Sequence, residues 1–168
     1  TRERFVVELA GVALSNSRVR LVVKGPAKAP RTGDVLFTHR GVSGPAMLDI
    51  SGEVAQLLTE QDEVVLRLEL VNGMGVDAWR EKIAAWRLTD GARKLRKLLG
   101  AITRNRLADT VCQLADISTA TPLAEVPAAK TTRLAQILGA MELTIVATEG
   151  FDSAMVTRGG VRLGEVNE

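Results

Sequence analysis

The chain of 168 residues carries one cysteine, one histidine and no tyrosine. A lone cysteine, Cys112, excludes an internal disulfide framework and any cysteine-based metal site. With His39 as the only histidine, the ordinary donor set of a zinc cage is missing, and no metal is expected. Aromatic residues are only 3% of the chain. The core must therefore rest on Leu, Val, Ile, Ala and Met, and a stacking surface for single-stranded nucleic acid is disfavoured. No apolar run is long enough to span a bilayer and no signal peptide precedes the first apolar run, so no membrane partner and a cytoplasmic setting are expected. A net charge of +2 favours no partner strongly.

What is present is the mix of a soluble globular protein: 46% hydrophobic and 25% charged residues, in a length that suits one domain or one domain with an appendage. "RFVVELAGVAL" and "RVRLVVKG" read as strands split by the turn formers Ser15, Asn16 and Ser17. "GPAKAPRTGD" reads as a loop and "VLFTH" as the next strand. After Pro45 the period changes: Ala46, Met47, Ile50, Val54, Leu57 and Leu58 recur at helical spacing. "EVVLRLELV" returns to strand. From Asp77 four helices are predicted in "VDAWREKIAAWRL", "TDGARKLRKLLGAI", "NRLADTVCQLADI" and "AAKTTRLAQILGAM". "ELTIVATEG" and "FDSAMVTRGGVRLGEVN" read as closing strands. This order predicts an α+β fold. An antiparallel, barrel-like β-rich body would span residues 1–75 and 141–168, including a helix near 45–58, with a helical subdomain at 76–140 inserted into it.

The stretch "GDVLFTHRGVSGPAMLDIS", residues 33–51, holds His39 and the glycine-flanked Ser43. A nucleophile elbow needs G-x-S-x-G. Here Gly41-Val42-Ser43-Gly44-Pro45 puts proline at the closing position, where it removes an N–H close to any oxyanion hole. Geometry alone accounts for the residues better. Ser43 or Gly44 caps a helix, Pro45 falls at its first position, and Gly41 frees the turn. The N–H groups of Ala46 and Met47 would then face an anion or a polarised carbonyl.

Arg87, Arg93, Lys94, Arg96, Lys97, Arg104 and Arg106 form a basic run whose only acid is Asp90. Such runs are mostly solvated faces; the alternative is a module that binds nucleic acid or another protein through this helical block. In "VTRGGVRLGE" the glycines are adjacent and no helix follows, so the dinucleotide fingerprint G-x-G-x-x-G is absent. Trp79 and Trp86, on one helix face, read as core or domain-contact residues.

Three segments in order carry a resemblance. Residues 33–51 resemble the G-E-x-L-F-T-H-x-G-x-S-G-P-A-x-L-x-x-S signature of the YhiN/BaiN-like, aminoacetone-oxidase-like FAD-dependent oxidoreductases. "LAGVALSNSRV" precedes it and "AMVTRGGVRLGEVN" follows at the far end; Asp34 stands where the family usually has Glu. The resemblance implies an insert domain without the FAD-binding Rossmann domain of its parent. Such a domain would cover flavin and substrate and be inactive alone. FAD would be held in the full-length parent and not tightly by this fragment. The implied partners are the FAD-binding domain of the same parent and a small-molecule substrate, with self-association through the uncovered interface. His39, Gly41, Ser43 and Gly44 would face substrate and partner domain, and Thr157, Gly159 and Gly160 the flavin. His39 is the one candidate for catalysis in the parent, as a proton donor near flavin. The favoured expectation is that its ring only hydrogen-bonds the Gly41–Pro45 turn.

Overall fold

A computed structural model describes residues 1–23, 28–150 and 154. The first element is a surprise in "RFVVE". Instead of a strand it forms a short helix, α1 (Arg4–Glu8). The β-branched pair Val6 and Val7 suggested extension, but burial follows helical spacing: Val6 and Leu9 are buried while Val7 and Glu8 are exposed. Tertiary burial overrides a weak local preference.

Strand β1 (Ala13–Val22) then runs straight through Ser15, Asn16 and Ser17. These residues are not a turn. They form an irregularity in the β1–β2 register, with Asn16 at φ 53°. A bulge inserts an extra residue without ending the strand, and here it places the Ser17 side chain in the interior, where its hydroxyl donates to Leu70 O at 3.1 Å. Strand β2 (Arg31–Phe37) includes the "RTGD" that the composition suggested was loop. Strand β3 (Val42–Ser43) leads into helix α2 (Pro45–Leu57), and β4 (Val64–Glu69) follows.

Between β4 and β5 (Met141–Ile145) run α3 (Val76–Thr89), α4 (Leu95–Gly100), α5 (Asn105–Leu114), a 3₁₀ turn at Leu123–Glu125, and α6 (Ala128–Gly139). The fold is α+β. Its antiparallel sheet has the order β3-β2-β1-β4-β5. Val19, Leu21, Val35, Phe37, Val64, Leu66, Leu68, Met141 and Leu143 point to one face and are buried. Helix α2 packs on that face through Ala46, Ile50 and Val54. The opposite face carries the cross-strand pairs Arg18–Glu69 and Arg67–Glu142.

The sheet curls into a half-barrel, and residues 1–3 approach both of its edges. Arg2 N donates to Thr144 O at 3.0 Å, and Thr144 N donates to Glu3 Oε1 at 2.8 Å, on the free side of β5. Thr1 N lies 3.3 Å from where a side chain on Gly41, beside β3, would begin. The Arg40–Glu149 ion pair at 3.5 Å links the β2–β3 turn to the segment after β5. Open strand edges are thereby blunted.

In the helical block Trp79 is fully buried, with Trp86 half-buried 6.3 Å away and tilted by 60°. Helices α3 and α6 meet where a Cβ on Gly139 would lie 2.4 Å from Val76 N. Backbone occupies that space, so Gly139→Ala should force the two helices apart. The expected loss is about 1–3 kcal/mol, as for other overpacked sites, read as a lowered urea midpoint at constant m-value. An unchanged midpoint would show that this helix contact is loose.

Candidate functional site

The signature residues gather in one hairpin. Strand β2 ends at Phe37, residues 38–41 turn, and β3 pairs back with Ser43 opposite Leu36 and Val42 opposite Phe37. Thr38 N donates to Gly41 O at 2.8 Å, and Gly41 N returns to Thr38 O at 3.3 Å. The Thr38 hydroxyl donates to Gly41 O at 3.2 Å, and it accepts from Arg40 N at 3.2 Å and Gly41 N at 3.1 Å. Thr38 therefore does what was expected of His39. The histidine is exposed and makes no hydrogen bond among the described residues, so its ring does not hold the turn. A hydroxyl on the first residue of a tight turn reaches the following N–H groups by itself.

Gly44 is the residue before Pro45 and the cap of α2, at φ 102°. A Cβ there would stand 2.6 Å from Asp34 O and 3.2 Å from Leu36 N. Glycine is required both by the dihedral and by the space. Met47 N and Leu48 N both donate to Gly44 O at 2.9 Å. The Met47 N–H expected to face a ligand is therefore already engaged within the helix. Ser43 lies in the β2–β3 ladder, and no hydrogen bond joins it to His39 among the described residues. No serine nucleophile with its base is formed here.

Beside the hairpin is an open groove of about 340 Å³ lined by Ala10, Gly11, Leu36, Phe37, Thr38 and His39. That is at the small end for ligand sites. Its floor is made by two backbone bonds between the segment after α1 and the end of β2: Gly11 N to Phe37 O at 2.8 Å and Phe37 N to Val12 O at 2.9 Å. The nearby sheet surface is uncharged, with exposed Ala13 and Leu36 side by side and Ser43 next to them. Further along the same face come Arg18, Arg20, Arg67, Glu69 and Glu142. Ala10, Gly11 and Thr38 were not singled out from the sequence, although "LAGVAL" and "FTH" contain them. Thr157, Gly159 and Gly160 lie outside the described residues.

The basic run does not form one free cationic face. Arg87 donates to Val126 O at 2.6 Å, and Arg93 pairs with Asp90 at 3.1 Å. Arg96 grips Asp109 with two bonds of 2.6 and 3.0 Å, tying α4 to α5 and holding the Asp109 carboxyl below its ordinary range. Arg106 donates to Glu8 O and to Ala10 O.

Residues 1–156 match the model of the HI0933-like protein barrel and H2TH domain. The chain belongs to the HI0933-like family. It is also similar to the 3-dehydro-bile acid delta(4,6)-reductase of Clostridium scindens, at 29% identity over 157 residues. The match covers 94% of this chain and 38% of the reductase, so the chain spans well under half of its relative. The family description joins a barrel to a helical element. The curled sheet and the α3–α6 block of this HI0933-like chain are that combination in outline. No helix among the described residues is long and apolar enough to cross a membrane.

Thr38→Val removes the hydroxyl that ties the turn and should cost about 1 kcal/mol, the usual worth of such bonds. His39→Gln should change stability by less than about 0.5 kcal/mol, as for an exposed side chain. Urea unfolding compares the two, and an equal loss at His39 would contradict the bonding described.

Cys112 is fully buried, and burial pushes its thiol from 9.0 up to about 11. Because the folded chain holds this proton more tightly than the unfolded one, the stability it contributes is complete below pH 9.0. It is lost as the pH rises through about 11. A thiol reagent at pH 8 should modify the protein only on unfolding, and rapid stoichiometric reaction of the native chain would show the burial to be wrong.

Proposed function

We propose that this chain is the insert domain of a flavin-dependent oxidoreductase, covering flavin and substrate from the hairpin side. The observation that carries the reading is the gathering of the signature residues His39, Gly41, Ser43 and Gly44 on one hairpin beside an uncharged groove. Family membership and the relative's name as a reductase support the redox class.

The groove residues suit one face of a flat ring. Leu36 supplies apolar surface, Phe37 contributes its backbone at the floor, and Gly11 lets a ligand approach the backbone. They do not suit a whole dinucleotide. The two nearby guanidinium groups, Arg40 and Arg106, are engaged with Glu149 and with backbone carbonyls, which leaves little to hold a pyrophosphate. FAD would be anchored by an FAD-binding domain of the parent, and when bound it would supply the hydride and electron chemistry. This chain's own part is to exclude water and orient a small substrate against the ring. With Thr38 holding the turn, the His39 imidazole is left at the groove rim as a group able to pass a proton to or from a bound substrate.

The test uses this chain and the full-length protein side by side. Flavin absorbance should show no stoichiometric FAD on this chain alone and full occupancy of the longer protein. In the longer protein Leu36→Glu should lower kcat/KM at least about tenfold while leaving this domain's stability within about 0.5 kcal/mol. His39→Gln should lower kcat by about a hundredfold. Tight FAD binding by this chain alone would overturn the covering role. Wild-type rates in both variants would remove the groove from the reaction.

A further inference from the structure

We propose that Arg106 is the positioning residue of the groove, a strut from the helical block that fixes the wall formed by Ala10 and Gly11. The inference rests on the groove being the working surface proposed above. Helix α1 has only five residues, too few to hold its own shape. Its end is irregular: Leu9 O accepts from Val12 N, and Gly11 continues at φ 87°. Glu8 O and Ala10 O accept from no backbone N–H among the described residues. These are the two carbonyls that Arg106 reaches, Nη1 to Ala10 O at 3.1 Å and Nη2 to Glu8 O. A guanidinium presents parallel donors in a rigid fork, which suits two carbonyls at the negative end of a helix.

The consequence is a chain of contacts from α5 to the hairpin. Arg106, in the first turn of α5, holds Glu8 and Ala10. The next residue, Gly11, donates to Phe37 O, and Phe37 N returns to Val12 O. Phe37 is paired with Val42 of β3. The guanidinium thus steadies both walls of the groove without lining it.

Amide hydrogen exchange on Arg106→Gln and Arg106→Lys variants tests the strut. In Arg106→Gln the Gly11 and Phe37 amides should exchange at least about tenfold faster, as for a local opening. Leu21 and Leu66 at the sheet centre and Cys112 within α5 should keep wild-type rates. Lysine can satisfy one carbonyl but not both, so Arg106→Lys should fall between wild type and Gln. Equal acceleration at every amide would make Arg106 a general stability residue and overturn the proposal, as would unchanged rates at Gly11 and Phe37. If Arg106→Gln does not fold, the same comparison on Arg106→Lys decides alone. Because the measurement needs no flavin domain, it separates the two ideas. Loss of the covering role leaves a selective change at Gly11 and Phe37 standing, and an unselective change removes the strut without touching the covering role.

Discussion

Asp34 works at both ends, and the hairpin depends on it. Its carboxylate accepts from Asn16 N at 2.9 Å, across from the bulge in β1. Its carbonyl closes the space where position 44 would carry a side chain. The first contact supports a left-handed asparagine, a conformation that costs energy unless something local compensates. The second lets the start of α2 lie directly on β2. One residue on β2 thus stabilises the irregularity that turns Ser17 inward and sets how closely the helix approaches the sheet.

Helix-length periodicity was the reliable signal. Helices α2, α3, α5 and α6 fall within a few residues of their apolar stripes, and β4 and β5 are where β-branched runs alternate. Misreadings arose where a local preference competed with a tertiary partner. "RFVVE" looks extended until Val6 and Leu9 have a core to enter. Ser15-Asn16-Ser17 looks like a turn until Asp34, eighteen residues away, offers an acceptor. The "GARK" lead into α4 stays non-helical because it is tied to the 3₁₀ segment, with Leu123 N donating to Arg93 O and Ala124 N to Gly91 O.

The candidate site was legible as letters and not as roles. The signature pointed to the hairpin, and glycine at position 44 could be expected from the turn. That Thr38 rather than His39 would hold the turn depends on which side chain faces its own backbone, and adjacent polar residues give no sign of that. The basic run shows the same dependence on the fold. Counting charge in sequence treats seven cations as one face, whereas Arg87, Arg96 and Arg106 each turn to a different partner in the fold. Desolvating those guanidinium groups for phosphate contact would break bonds that already hold helices together.

The distribution of charge on the outer sheet face then gives the proposed docking a direction. Along β1 this face passes from the exposed Ala13 to the half-buried Arg18 and Arg20, and along β2 from the exposed Asp34 to the exposed Leu36. At the charged end Arg18 and Arg67 have acidic neighbours on β4 and β5, so that region is self-compensated, and the Arg67–Glu142 pair is the more solvated of the two. At the other end Ala13 and Leu36 gain little from water and offer an apolar surface beside the groove. A partner that settles on the uncharged end buries apolar area at small desolvation cost. One that settles on the charged end must first strip water from paired charges. The same sheet therefore favours contact at the hairpin and resists it elsewhere, and this asymmetry is set by which residues alternate along β1 and β2.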